Sequence, residues 1–242
     1  FRTDDTGKAY ISLEPGHYIL IFLHDLPDTP GMDYIPARLE VEVKVEDIGK
    51  KWSAEVLLVP GATVILRGDI EYIGGSYGGY YMVKVLNPLT MTPPPAPKGN
   101  ATPIFVYGST RLESVLLRRA LPKVFRTIDM VVVPAKTDVV LLFHAYVYDE
   151  RTEYLYRVLK FSLDLEGKPI NLDQGDLIKL DYTRQAMTQV LDVVLSDVDY
   201  VRGLLVRAES EGFYVAAERE DLLKAENLIR LAQGKIEEGD YK

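Results

Sequence analysis

Gly74-Gly75-Ser76-Tyr77-Gly78 spells G-x-S-x-G, the pattern of a serine-hydrolase nucleophile elbow. That chemistry needs a strand before the serine and a helix after it, so that the hydroxyl stands on a sharp turn beside oxyanion-binding N–H groups. Residues Tyr80–Leu86 alternate like a strand instead. A hairpin loop is therefore expected, and Ser76 receives no catalytic role. The histidines, His17, His24 and His144, are scattered, with no H-x-x-x-H or H-E-x-x-H pair. No transition-metal centre is expected from them. Asp25, Asp28 and Asp33 crowd one loop with Pro27, Pro30 and Gly31. Carboxylates on a rigid loop can ligate calcium, although the spacing is not that of an EF-hand and turn-forming aspartates are the alternative. Tyr72, Tyr77, Tyr80 and Tyr81 surround a glycine-rich loop. Exposed tyrosines on a β surface stack on sugars or anchor a protein partner, so these four are the expected contact residues.

The chain that must position these groups has 242 residues, with 47% hydrophobic and 26% charged. It can build a sizeable core and is not of the disordered class. The net charge of −8 repels phosphate backbones and argues against a nucleic-acid partner. One basic cluster, Arg111, Arg118, Arg119, Lys123 and Arg126, runs against that balance and is expected to be a solvated helix face. Without cysteine there is no disulfide, thiolate site or thiol nucleophile. Scarce Asn and Gln beside abundant charge is a hyperthermophile composition. No transmembrane span and no signal peptide are visible, so membrane contact is expected only through an anchor outside this chain. The chain starts at Phe1 within a strand-like segment and ends with a helical pattern still running, as an ectodomain cut from its anchors would.

Alternation dominates the first half. Leu39, Val41, Val43 and Val45 fall on one face, and Glu40, Glu42, Lys44 and Glu46 on the other, which predicts a half-buried strand. Ala9–Leu13, His17–Leu23, Glu55–Val59, Thr63–Tyr72 and Tyr80–Leu86 are also predicted strands, with Pro60-Gly61 as a turn. The run from Met91 to Pro103 is proline-rich and predicts a semi-rigid linker. Beyond it, Thr110 and Glu113 form a capping-box pair that opens a short helix ended by Pro122. Strands are predicted at Ile128–Val133, Val139–Tyr148, Glu153–Leu163, Leu177–Tyr182, Leu204–Ala208 and Phe213–Ala217. Residues 185–198 fit helix and strand equally: Met187, Val190, Leu191, Val194 and Val198 have helical spacing, while the β-branched content favours a strand. Leu222, Ala225, Ile229, Ala232 and Ile236 make a C-terminal helix that either packs back on the fold or begins a stalk.

Residues Thr3-Asp4-Asp5-Thr6-Gly7-Lys8-Ala9-Tyr10-Ile11-Ser12-Leu13-Glu14-Pro15-Gly16-His17-Tyr18 resemble the signature of transthyretin-like β-sandwich modules. These include the carboxypeptidase regulatory-like and collagen-adhesin B-type domains. The pattern is T-D-x-x-G, then an alternating strand, then L-x-P-G-x-Y. Asp4–Gly7 would make a tight turn, Pro15-Gly16 the next, and Tyr18 would begin an inward-facing strand. The resemblance implies an extracytoplasmic spacer, adhesion unit or accessory domain. Such modules carry two strands before this signature, which this chain lacks, so another segment or another molecule is expected to cover the open edge.

The expected architecture is mainly β, with two β-sandwich-like domains. A transthyretin-like domain spans 1–90, a linker 91–103, a second β-rich domain 104–217 and a helix 218–242, with the short helix inside the second domain. The expected function is a non-catalytic structural or interaction ectodomain of a thermophile cell-surface or secreted protein. It would engage a protein partner or itself and use no cofactor. Two alternatives stay open: a carbohydrate-binding accessory region of a secreted enzyme, and a strand-exchanging filament subunit.

Overall fold

The computed structural model describes residues 3–24, 26, 28–68, 76–96, 99, 101–107, 129–149 and 155–240. Among them the chain is mostly β, with several sheets, one internal helix and one C-terminal helix. The strands are β1 (Gly16–Phe22), β2 (Tyr34–Ile35), β3 (Ala37–Val43), β4 (Val59–Arg67), β5 (Ser76–Leu86), β6 (Thr102–Pro103), β7 (Val106–Tyr107), β8 (Met130–Pro134), β9 (Val140–Asp149), β10 (Leu155–Leu163) and β11 (Leu177–Asp181). Helix α1 is Thr183–Ser210 and α2 is Ala216–Glu238.

The strands form three sheets, β1-β3-β6, β10-β9-β5 and β11-β4-β8-β7, with β2 also paired to β4. All pairs are antiparallel except β11 with β4. The β4–β8 sheet is buried on both faces, which is why Met130–Pro134 and Ala62–Leu66 are near-continuous apolar runs without alternation. Ala62, Val64, Val131 and Val133 face the β10-β9-β5 sheet across the main core, where Phe143, Leu141, Leu159 and Leu163 lie. On the opposite face Met130 and Val132 pack with Met32, Ile35, Ile21 and Ile104. The one polar side chain on this stretch of β4, Thr63, accepts the Met32 N–H at 2.8 Å and so meets the requirement for a buried hydroxyl.

The alternation predicted for β3 is present: Leu39, Val41 and Val43 are buried with Tyr18, Leu20 and Phe22 of β1. Val45 departs from it, because β3 ends at Val43 and a 3-10 turn at Val45–Asp47 leaves Val45 exposed. Ala9–Leu13 is not a strand, and Glu55–Val59 contributes only Val59 to one. These segments instead lay Leu13, Val56 and Leu58 over the apolar face of the β1-β3-β6 sheet, so the same chain covers it. The Asp4–Gly7 turn forms: Asp4 Oδ1 accepts the N–H of Thr6 and Lys8, and Gly7 has φ of +76°.

Two further expectations are corrected. Pro60-Gly61 is not a turn but part of β4, paired with Tyr34 and Val59's partner Ile35 on one side and with Pro134 on the other. Glycine is needed at 61 for closeness: a Cβ there would stand 3.0 Å from the Ile35 backbone nitrogen and from Val132 Cγ1. Residues 91–103 do not divide the fold into two sheets. β5, which precedes them, pairs with β9, and β4 pairs with β8 and β11, all of which follow. Within the proline-rich stretch Pro94 and Ala101 are buried and Thr102–Pro103 is paired to β3. The two separate sandwiches expected on either side are therefore replaced by sheets shared between both halves. The predicted helix opened by Thr110 and Glu113, and the basic cluster 111–126, lie outside the described residues.

Candidate functional site: the helical hairpin and the cleft at its base

Residues 185–198 belong to α1, and the helix runs on to Ser210. Leu204–Ala208 is thus helix, not strand. Phe213–Val215 is the connection between the helices, not a strand, and α2 starts at Ala216. Gly212, with φ of +87°, stops α1: the Phe213 N–H bonds back to Ala208 O and the Gly212 N–H to Glu209 O, both at 3.0 Å. This six-to-one closure with a left-handed glycine is the Schellman arrangement. It turns the chain back so that α2 packs antiparallel on α1, burying Val198, Leu205 and Ile229 between them.

The start of α1 is seated on the sheets. Tyr182 and Ala186 are buried in the main core, with Val190 and Val193 against it. Val193 is the last residue of the helix packed against that core, and farther along α2 lies against it. Two ion pairs set the register of the hairpin, Arg202–Glu226 at 2.7 Å and Arg219–Glu209. They are seven residues apart on each helix and so lie on one flank. At 100° per residue, Val201, Leu204 and Ala208 of α1 fall to the other side of the buried seam, as do Ala225, Leu228 and Ala232 of α2. That flank is open and mixed: Leu204 is 47% exposed, Leu228 67% and Tyr200, at its edge, 68%, while exposed Asp197 and Asp221 share the same two faces. At the tip Tyr214 is 91% exposed.

At the base of α1 an open cleft of about 1070 Å³ lies between the helix, β10 and β11, lined by Lys160, Ser162, Asp164, Asp181, Arg184 and Gln185 among others. Two of its carboxylates serve local structure: Asp181 Oδ1 accepts the Thr183 N–H at 2.8 Å at the helix start, and Asp164 Oδ1 the Gly167 N–H at 2.9 Å. Gln185 Oε1 is the one buried side-chain oxygen or nitrogen among the described residues with no hydrogen-bond partner. An unmade buried bond costs about 1–3 kcal/mol. Gln185→Met keeps the volume and removes the orphan acceptor, so it is expected to raise stability by about 1 kcal/mol. Urea unfolding followed by circular dichroism checks the sign; a loss would show that the amide has a partner in solution.

The residues singled out in the sequence are distributed otherwise. Tyr81 is a core residue, not a surface contact: its hydroxyl donates to Asp129 Oδ2 at 2.6 Å and its ring stacks on Phe143 at 5.6 Å. Burial, and then the adjacent Asp129 carboxylate, push its phenol well above the usual range. Tyr72 and the side chains of Tyr77 and Tyr80 lie outside the described residues. Ser76 opens β5, so the segment after it is a strand and not the helix of an elbow. Asp33 is buried, and its Oδ2 accepts the Leu26 N–H at 2.6 Å and the Thr29 hydroxyl at 2.8 Å, which makes it a loop-organising residue and not a calcium ligand facing solvent. Asp28 is exposed and Asp25 lies outside the described residues. No group of three metal-ligating side chains comes together among the described residues. His17 is on the surface near Glu42, and His24 packs edge-on against Tyr34. His144 faces outward from β9, where partial burial and then Lys84 and Lys160 lower its pKa and favour the neutral ring.

The β propensity of residues 204–208 and 213–217 hides the hairpin in the sequence. Gly212 after Glu209-Ser210-Glu211 is a helix-stop signal that would have found it. Comparison with family models, with curated proteins and with solved structures finds no match for this chain.

Proposed function

We propose that this chain is a structural or interaction module that engages another protein through the α1–α2 hairpin. One observation carries the reading: beyond Val193, the last α1 residue packed on the main core, the hairpin exposes the large apolar side chains Tyr200, Leu204 and Leu228 and, at its tip, Phe213 and Tyr214. A helix pair with apolar residues on more than its mutual seam is built to be covered. On this reading it acts outside the cytoplasm of a heat-adapted cell; the resemblance of the first residues to surface modules supports the former and the scarcity of Asn and Gln the latter. Among the described residues no helix is long and apolar enough to cross a membrane, so the hairpin is taken as a protein contact.

A photo-crosslinking amino acid at position 204, compared with one at the exposed Leu57 in the N-terminal segment, tests this. In whole cells, position 204 is expected to yield a discrete covalent adduct, identified by mass spectrometry, while position 57 yields little. Equal or absent crosslinking at both positions would sink the proposal.

A further inference from the structure

We infer that the cleft at the base of α1 takes an extended peptide of net positive charge, which adds as a fourth strand to the free edge of the β10-β9-β5 sheet at β10. The site is separate from the hairpin, and the inference does not rest on the partner proposed there.

β10 ends its sheet: β9 takes one of its edges, and no strand among the described residues takes the other. In an antiparallel pair every second residue turns its N–H and C=O away from the partner strand. Along the ladder from Val158 to Leu163 this leaves a row of donors and acceptors with no backbone partner among the described residues. Such an edge is a template for another strand. The cleft exposes it. Lys160, Phe161, Ser162 and Leu163 all line the cleft, although Lys160 and Ser162 point to solvent and Phe161 and Leu163 into the core. What four consecutive residues of alternating direction share is the edge of their strand.

The opposite wall is one face of α1. Arg184, Gln185, Thr188, Gln189 and Asp192 line it, and at 100° per residue they fall within about 140° of the helix surface. From Arg184 to Asp192 this wall is about 12 Å long, the length of roughly four residues of extended chain. A groove between a strand edge and a helix face holds a peptide by its main chain and leaves the side chains to the walls. The middle of the α1 wall suits that task, because Gln185, Thr188 and Gln189 are neutral and carry both donors and acceptors. Gln185 Oε1 is also the acceptor that the chain leaves without a partner. A peptide N–H supplies one once the amide turns toward the cleft.

Charge gives the peptide its sign. Asp164, Glu166, Asp181 and Asp192 stand against Lys160 and Arg184, four carboxylates to two cations. None of the six is in an ion pair among the described residues. A peptide bearing Lys or Arg balances the excess, and the chain's net charge of −8 steers the same kind of partner toward it.

The probe is a pair of random peptide pools about nine residues long, one of net charge about +2 and one of about −2, passed over the immobilised full chain. Binders should come from the positive pool and not from the negative one. N-methylation of a recovered peptide, one residue at a time, removes one N–H at each step. Affinity, read by fluorescence anisotropy, should fall roughly 10-fold at every second residue and hold within about twofold between them. Charge attraction alone has no such period of two. Thr188→Trp, which fills the groove from an exposed position, and Asp192→Lys should each weaken binding roughly 10-fold with an unchanged circular dichroism spectrum. Leu204→Glu on the hairpin should leave binding as it is. The methylation scan uses the native chain and stands even if a variant misfolds. No binder from either pool, binders from the negative pool alone, or a methylation profile without the period of two overturns the proposal. So does a loss at Leu204→Glu equal to that at Thr188→Trp, which would put the peptide on the hairpin.

Discussion

Phe143→Ala is expected to lower stability by about 3–5 kcal/mol, the range for emptying a buried aromatic site. Phe143 has no exposure and sits at the middle of the main core on β9. Its ring stacks on Phe161 at 4.9 Å and on Tyr81 at 5.6 Å, and meets Tyr182 at 5.2 Å. Those three rings come from β10, β5 and the approach to α1. Removing Phe143 therefore loosens the attachment of the hairpin as well as the sheet, because Tyr182 and Ala186 are what seat α1 on the core. The cavity cannot collapse easily, since β9 is held on both sides by ladder bonds to β5 and β10. Phe143→Leu, which keeps most of the volume, should cost about 1–1.5 kcal/mol. Guanidinium unfolding of the three proteins checks both figures. A loss below about 1 kcal/mol for the alanine variant would mean that the aromatic cluster is not packed as described.

The second large effect is expected at Gly31. A Cβ there would fall well inside van der Waals distance of the Asp176 carbonyl oxygen and 3.1 Å from that of Gly175. Both obstacles are backbone, which cannot rotate away as a side chain can. The Gly31 N–H also donates to Gly175 O at 2.9 Å, so the two loops are already in contact through their main chains. Retreat is blocked on each side. Asp33 ties its own loop through Leu26 and Thr29, and its carbonyl accepts the Gly61 N–H at 2.7 Å and Gln174 Nε2 at 3.1 Å. Gly175 in turn donates to Gly61 O at 2.9 Å. Gly31→Ala should therefore cost about 3 kcal/mol, at the upper end for an inserted methyl group. The control is Gly203→Ala: nothing lies within 4 Å of that site on α1, and removing a mid-helix glycine should add about 0.5–1 kcal/mol. Opposite signs in the same urea experiment confirm the assignment; two gains would refute it.

Short-range patterning made β1, β3 and β9 legible, because each buries alternate residues on at least one face. The same alternation should have placed Tyr81 with Val83 and Val85 on the inward face of β5, against its assignment to a contact surface. Residues 185–198 looked undecided because Val190, Val193 and Val194 are β-branched. Their spacing matches the α1 face that meets the core and α2, and tertiary packing overrides the small helix penalty of such residues. The proline-rich stretch suggests a spacer from composition alone, while the pairing of Thr102 and Pro103 depends on β3, far back in the chain. Nothing local announces that Leu177–Asp181 lies parallel to Thr63–Arg67, since a parallel pair leaves no turn between its strands. The candidate site suffered most, because an open flank on a hairpin appears only once the fold-back at Gly212 is known.

The β4–β11 pair has a consequence for the order in which the molecule is made. β4 is synthesised early, yet β8 and β11, which flank it, come roughly 70 and 115 residues later along the chain. A nascent chain that has reached residue 90 holds β4 and β5 with most of their ladder partners still unsynthesised. During translation this apolar strand must wait, exposed, until Asp181 has left the ribosome, and only then can the central sheet close. Closure over so long a loop is slow, which makes the emerging first half the stage at which aggregation competes with folding and a chaperone has most to protect.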